Sequence, residues 1–175
     1  VIACHLDSWD LGTGAIDDAA GCGIITAAAR HLKAMGQPKR TVRLLWAGAE
    51  EVGVWGGKDY GAKHAAEPHA LAMESDFGAG KVWAVDFALP ESAKMLRDKI
   101  TLALAPLGVV PRQQNAGGGA DIAAIIAAQK VGIIDLQQDG TKYFDLHHTP
   151  DDTLDKIDKA ELRQNVAAWV ATLAL

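Results

Sequence analysis

Five side chains of the types that bind metal ions are spread over the sequence. They are two histidines and three carboxylates: His5, Asp17, Glu51, Asp76 and His148. Zinc takes four or five nitrogen and oxygen ligands, and a catalytic zinc ion keeps one position for water. Five protein ligands are too few for two separate closed sites, but they suit two zinc ions that share one carboxylate.

Such a pair of ions would carry out hydrolysis. With Asp17 as the bridge, each ion takes one histidine and one further carboxylate: His5 with Asp76, and His148 with Glu51. Two ions about 3.5–4 Å apart activate a water between them and hold the oxyanion that forms when this water attacks a carbonyl. Glu50, next to a ligand but not needed as one, can act as the general base that takes the proton of the water.

Composition and charge fit one enzyme domain. The chain has 175 residues, of which 49% are hydrophobic and 22% charged, so it can bury a sizeable core without a second domain. The net charge of −5 provides no basic surface for nucleic acid. The sequence contains no apolar run of transmembrane length. It begins at Val1, on a predicted strand that already carries a candidate ligand, and we therefore expect a fragment that lacks its upstream strands.

Apolar runs and amphipathic segments alternate along the chain. The predicted strands are Val1–His5, Thr41–Ala47, Ala70–Ser75, Val82–Phe87 and Val131–Leu136. The predicted helices are Asp18–Met35, Glu91–Ala105, Ala120–Gln129 and a last one from the N-cap Asp158 to Leu175. This alternation predicts an α/β fold, a three-layer α/β/α sandwich with a mostly parallel central sheet.

The candidate site residues follow the predicted strands in a regular way. His5, the Glu50–Glu51 pair and Asp76 lie at or just after the carboxyl ends of strands, where open α/β sheets bind their ligands. Asp17 lies in a glycine-bounded loop before the first long helix, and His148 lies in a loop before the last helix. The strand ends therefore predict one shared site.

Neighbouring residues of the same type leave some choices open. Asp17 and Asp18 compete for the bridging position, because either can cap the helix that follows. His147 and His148 compete in the same way for one ligand position. The aspartates at positions 151 and 152 are expected to serve the turn after them, unless Asp152 orients a ligand.

Two cysteines and several aromatic or histidine residues have less specific patterns. Cys4 and Cys22 are expected to be small buried thiols, with a disulfide or a metal role as the less favoured possibilities. Trp46 is expected in the core. The remaining histidines have no partner at ligand spacing and are expected at the surface: His31, His64 and His69.

Four segments, in this order, resemble a known family: HLDSWDLGTGAIDDAAG, LLWAGAEEVGVWGG, AMESDFGAG and DGTKYFDLHHTPDDTLDKID. They are similar to the two-zinc aminopeptidase and carboxypeptidase Q family, the plasma glutamate carboxypeptidase-like zinc peptidases, over essentially the whole chain. The resemblance implies a zinc exopeptidase fold of the phosphorylase/hydrolase-like type and a secreted or periplasmic location. It also implies the metal ligands His5, Asp17, Glu51, Asp76 and His148, with Asp17 as the bridge, Asp18 as the helix cap and Glu50 as the base.

The resemblance implies further roles around the metal ions. The carboxylate of Asp7 would orient the imidazole of His5 through its other ring nitrogen. The glycine run Gly117–Gly119 would form a flexible wall of the substrate cleft. Asp121 and Tyr143 are the candidate substrate contacts, although Tyr143 could equally pack beneath the pocket.

We therefore expect residues 1–175 to form a zinc peptidase catalytic domain with two zinc ions and a peptide substrate. Aminopeptidase activity is the first choice, and a dipeptidase or carboxypeptidase activity of the carboxypeptidase Q type is the second. Two functions from different classes are less favoured: a glutaminyl-cyclase-like transferase with a single zinc, and a non-catalytic peptidase-like domain. The complete five-ligand set counts against both of these.

Overall fold

A mixed sheet of six strands forms the centre of the molecule. The computed structural model describes all residues from 1 to 175. The strands are β1 (Ile2–His5), β2 (Leu44–Ala47), β3 (Leu71–Glu74), β4 (Val82–Ala88), β5 (Val110–Pro111) and β6 (Gly132–Gln138). Their order across the sheet is β2-β1-β3-β6-β4-β5. All neighbouring strands run parallel except β4 and β6, which confirms the predicted mostly parallel sheet.

Helices cover both faces of this sheet. They are α1 (Ala20–Met35), α2 (Trp55–His64), α3 (Lys94–Leu104), α4 (Ala123–Ala128), α5 (Tyr143–Leu146) and α6 (Lys159–Leu173). Helices α1, α3 and α6 pack together on one face, and α2 packs with α4. Asp158 caps α6 as predicted, because its carboxylate accepts the N–H groups of Ala160 at 2.7 Å and Glu161 at 3.1 Å.

Short turns lie between these elements. A kinked turn, Ala15–Ala19, with non-helical dihedral angles at Asp17 and Asp18, precedes α1, and 3₁₀ turns lie at Glu91–Ala93, Ala105–Leu107 and Leu154–Lys156. No helix has the length and apolarity that crossing a membrane requires.

Helix α2 was not predicted, because its sequence contains three glycines and therefore has a low helical propensity. The structure shows what these glycines do. A side chain at Gly57 would collide with the main chain of Asp121, and one at Gly61 would collide with Ala124 of α4. The glycines thus allow α2 to lie directly on α4 and on the segment before it.

The main core lies between the sheet and the layer of α1, α3 and α6. Its largest fully buried side chains include Trp169 of α6, Ile24 and Ile25 of α1, and Ile100 of α3. Trp46, which was expected in the core, is 52% exposed. The prediction was wrong because β2 is an edge strand, so its side chains are covered less well than those of the inner strands.

Candidate metal centre

The topology brings three of the candidate segments to one edge of the sheet. Strand β1 ends at His5, β2 is followed by Glu50 and Glu51, and β3 is followed by Asp76. Because β2, β1 and β3 are parallel neighbours, their carboxyl ends lie side by side. Two loops complete the group: the turn before α1 contributes Asp17, and the turn after α5 contributes His148.

Asp17 lies between the two histidines. Its Oδ1 atom is 3.0 Å from Nε2 of His5, and its Oδ2 atom is 3.3 Å from Nε2 of His148. The residue is only 4% exposed. One carboxylate therefore presents one oxygen to each histidine, which is the arrangement required of a ligand shared by two metal ions.

Each histidine also faces a second carboxylate. Nε2 of His5 lies 3.4 Å from Oδ1 of Asp76, and Nε2 of His148 lies 2.8 Å from Oε2 of Glu51. Two further features suit a cation: Oδ1 of Asp76 and Oε1 of Glu51 are buried and have no hydrogen-bond partner. Imidazole nitrogens and carboxylate oxygens are ligands that zinc accepts, so the residues present fit zinc.

The pKa values reflect a strongly negative cluster. Burial by itself would lower the pKa of His5, but its hydrogen bond with Asp17 and the nearby negative charges of Asp76 and Asp18 outweigh burial and raise this pKa to about 12. Burial raises the pKa of both Glu50 and Glu51. Positive charge at the centre is thus stabilised, whether a proton on His5 or a metal ion supplies it.

The role predicted for the Asp7 carboxylate needs correction. Nδ1 of His5 bonds to the main-chain oxygen of Asp7 at 2.9 Å, whereas the Asp7 carboxylate lies 3.7 Å away. The carboxylate instead accepts the N–H groups of Glu50 at 3.0 Å and Glu51 at 3.2 Å. It is turned away from His5 because the loop after β2 presents these two donors beside it. Asp7 thus supports the histidine with its carbonyl and the acidic pair with its side chain.

Asp18 and Asp152 position main chain around the centre. Asp18 accepts the N–H groups of Gly21, in the first turn of α1, and of His5, each at 3.1 Å. Asp152 is 2% exposed and accepts the N–H groups of Ile16 at 2.6 Å and Asp17 at 3.1 Å. The sequence indicated a helix cap for Asp18 and only a turn, or ligand orientation, for Asp152. Burial was the missing signal, since a buried carboxylate needs donors.

His148 is stacked between two aromatic rings. The indole of Trp9 lies 4.9 Å from its ring centroid and the imidazole of His147 lies 4.2 Å from it. His147 remains a competitor for the ligand position: a nitrogen of its ring lies within 4.8 Å of donor atoms of Asp17 and His148, and its Nδ1 atom is buried without a partner. The geometry favours His148, whose Nε2 faces both Asp17 and Glu51.

The two predicted substrate contacts are buried. Tyr143 stacks on Phe77 at 4.5 Å and on His147 at 4.8 Å, so it packs beneath the centre, while Phe144 is 67% exposed. Asp121 is fully buried, and neither of its carboxylate oxygens has a hydrogen-bond partner. Burial raises the pKa of Asp121 to about 7. Substrate contact by either residue stays a prediction.

The cysteines form a disulfide, so the expectation of two buried thiols was wrong. Cys4 and Cys22 are bonded, with their Cα atoms 5.1 Å apart. Strand β1 and the first turn of α1 lie side by side here, a proximity that a separation of 18 residues along the chain does not reveal.

Two of the histidines expected at the surface belong to a polar network. Nε2 of His69 lies 2.6 Å from the hydroxyl of Tyr60, and Nδ1 of His64 lies 2.7 Å from Glu67. His31 is exposed, as expected.

The glycine segment that was predicted to be a flexible wall is anchored, because the N–H groups of Gly117 and Gly118 donate to Asp135 at 2.8 and 3.2 Å. Neither the histidine network nor this glycine segment supplies a ligand atom to the metal centre.

The chain is similar to several peptidases of known sequence or structure. Carboxypeptidase Q of Mus musculus is 36% identical to the chain over 172 residues, which are 97% of this chain and 36% of that protein. The crystal structure of a peptidase M28 precursor from Shewanella amazonensis is 46% identical, covers 99% of this chain and 40% of its own, and superposes with a TM-score of 0.93. An aminopeptidase from Aneurinibacillus is 28% identical, with a TM-score of 0.66, covering 98% of this chain and 42% of its own.

The chain therefore spans about a third of the length of the curated relatives that it matches. The sequence profile described as peptidase family M28 matches residues 1–173. Together with the six-stranded sheet and the donor group at the ends of β1, β2 and β3, this match establishes that the chain belongs to peptidase family M28.

Proposed function

We propose that residues 1–175 form the catalytic domain of an exopeptidase that holds two zinc ions. His5 and Asp76 would hold one ion, His148 and Glu51 would hold the other, and Asp17 would bridge them. The observation that carries this proposal is the position of Asp17, whose two oxygens face Nε2 of His5 at 3.0 Å and Nε2 of His148 at 3.3 Å. Family membership supports zinc as the metal.

The chemistry follows from the residues around the centre. When bound, zinc supplies Lewis acidity, which polarises the scissile carbonyl and lowers the pKa of a water to near neutral. Glu50 takes the proton of the attacking water and returns it to the leaving amine. Burial raises the pKa of Glu50, which is the direction that strengthens a carboxylate as a base. Asp7 fixes the main chain of Glu50 and thereby the position of this base.

Aminopeptidase activity remains the first choice. Three carboxylates, those of Glu50, Asp76 and Asp7, act on the buried Asp121, together with the opposing charge of His5, so carboxylates outnumber cations around the metal-free centre. An acidic environment attracts the ammonium group of a free amino terminus and repels a free carboxyl terminus. The 28% identity with an aminopeptidase supports the same choice. The 36% identity with carboxypeptidase Q supports the second candidate, a dipeptidase or carboxypeptidase activity.

Peptides with blocked ends separate these candidates. One peptide of fixed sequence is offered in three forms: free at both ends, acetylated at the amino terminus, and amidated at the carboxyl terminus. An aminopeptidase cleaves the free and the amidated form and leaves the acetylated one intact. Cleavage of the acetylated form together with an intact amidated form would establish a carboxypeptidase. Glu50→Gln protein serves as the control for contaminating peptidases.

We infer a secreted or periplasmic location from the Cys4–Cys22 disulfide, since such bonds persist in oxidising compartments. The similar peptidase from Shewanella amazonensis is a precursor, which is consistent with this location. Cell fractionation with detection of the chain tests it, and recovery of the chain from the cytoplasm with both cysteines reduced would contradict it.

A further inference from the structure

The disulfide joins the two segments that carry the first set of metal donors. Cys4 directly precedes His5 at the end of β1, and Cys22 lies in the first turn of α1, shortly after Asp17. Donor atoms of His5, Asp17 and Asp76 all lie within 4.8 Å of one another. The covalent link is therefore placed beside this donor group and not in a distant part of the core.

Weaker contacts connect the same two segments. The N–H group of His5 donates to Oδ2 of Asp18 at 3.1 Å, and the carbonyl oxygen of His5 lies 3.1 Å from Sγ of Cys22. The N–H group of His5 is thus held by Asp18, and its carbonyl oxygen packs against the disulfide sulfur of Cys22. The distance between the imidazole of His5 and Asp17 depends on how β1 and this segment are held together.

We propose that the Cys4–Cys22 disulfide positions His5 against Asp17, so that its reduction weakens metal binding at this donor group while the chain stays folded. This inference rests on the proposed metal-binding role of His5, Asp17 and Asp76. The second donor pair is held differently, because the main chain of Glu51 is fixed by Asp7. Loss of the disulfide should therefore weaken the binding of the ion at His5 and Asp76 more than the binding of the other ion.

A reductant has access to the bond. Cys4 is fully buried, but Cys22 is partly exposed and lines a surface groove with Leu6, Gly23 and Trp46. The thiolate of a dithiol attacks Sγ of Cys22, the S–S bond breaks, and Cys4 leaves as a thiolate that takes up a proton. The second thiol of the reductant then releases Cys22, so the dithiol is oxidised to a disulfide and the protein gains two electrons and two protons.

The test uses the Cys4→Ala/Cys22→Ala double variant, which removes the bond without leaving thiolates that bind zinc. Zinc affinity is measured by calorimetric titration of metal-free protein at 25 °C, with circular dichroism as the check for folding. We expect zinc affinity at the site of His5 and Asp76 to fall about 10–100-fold, the range typical of residues that position metal ligands. Affinity at the site of His148 and Glu51 should change less than about threefold. Ile100→Val, a core truncation in a helix without site residues, controls for general loss of stability.

The outcomes separate this inference from the proposed function. Absence of zinc binding by the oxidised wild-type chain would overturn the proposed function and the inference with it. Normal zinc binding by both wild type and double variant would overturn the inference alone, and so would equal losses in the double variant and Ile100→Val. If the double variant does not fold, the Cys4→Ser/Cys22→Ser variant, which also lacks thiolates, takes its place in the same zinc titration. Unfolding of the reduced protein at 25 °C would also overturn the inference.

Discussion

Two buried acidic regions of this molecule satisfy their carboxylates in opposite ways. Asp86 of β4 is 2% exposed and accepts hydrogen bonds from Nε of Arg112 at 2.8 Å and from Nε2 of Gln137 at 2.9 Å, with a second guanidinium nitrogen of Arg112 also in contact. At the metal centre, Asp17 faces the imidazoles of His5 and His148 with no guanidinium or ammonium group paired to it, and oxygens of Asp76 and Glu51 have no partner.

The presence or absence of a cationic partner distinguishes a structural carboxylate from one that binds a ligand. A buried carboxylate matched by a guanidinium is complete, and breaking the pair leaves an uncompensated charge. Several buried carboxylates with unused oxygens and only histidines beside them lack positive charge, which a metal ion supplies. The first region should therefore govern stability, and the second should govern metal binding and catalysis.

The largest effect is expected within the acidic pair of the metal centre. Glu50→Gln should retain both zinc ions. Its kcat should fall about 10³-fold or more, because the water loses its proton acceptor. Glu51→Gln is the matched control, one position away, and should lose one zinc ion. Both variants are compared by metal analysis and by hydrolysis rates. Equal metal loss in both would show that the roles of the pair are misassigned.

The second effect is expected in the structural region. Arg112→Ala should lower the free energy of unfolding by about 3 kcal/mol, because Asp86 would remain buried without its guanidinium. Zinc affinity should not change. Denaturant unfolding and zinc titration of the same variant measure the two quantities. A large loss of zinc affinity with unchanged stability would reverse the distinction between the two regions.

A smaller effect is expected at Asp152, which holds the main chain of Asp17. Asp152→Asn replaces one acceptor oxygen by an amide group that cannot accept the N–H group facing it, so Asp17 should be held less firmly. We expect zinc affinity to fall about 10–100-fold. The exposed neighbour provides the control, since Asp151→Asn should leave affinity within about twofold. An equal response of both variants would exclude a positioning role for Asp152.

The smallest effect, counted per pH unit, is the pH dependence of metal binding. The pKa of His5 in the metal-free chain is raised from 6.5 to about 12, so zinc must displace a proton from its ring at neutral pH. Zinc affinity should therefore rise about tenfold per pH unit for this proton between about pH 6 and pH 8. Protonated His5 contributes to the stability of the fold with the opposite pH dependence. This contribution is complete below pH 6.5 and is lost as the pH rises through about 12. A flat affinity profile would contradict the raised pKa.

The sequence predicted those features that depend on pattern. The apolar runs that end at His5, before Glu50 and before Asp76 form parallel strands, and their carboxyl ends meet because neighbouring strands share a direction. The short strand β5, Val110–Pro111, has too few residues to show a pattern and was missed. Helix α2 was missed because its glycines serve close packing, which is a tertiary requirement.

Features that depend on direction and distance could not be predicted. The spacing of Asp7 from His5 does not reveal that the carbonyl, and not the carboxylate, faces the imidazole. The disulfide required the position of α1 beside β1. The role of Asp152 required the return of the chain from its last loop to the turn before α1, across a separation of 135 residues from Asp17.

The most direct test of the central claim is anomalous diffraction at the zinc absorption edge on crystals grown with zinc. We expect two zinc peaks about 3.5–4 Å apart, with one oxygen of Asp17 bound to each. His5 and Asp76 should complete one site, and His148 and Glu51 the other. A single peak, or two peaks that do not share Asp17, would exclude Asp17 as a ligand shared by two zinc ions.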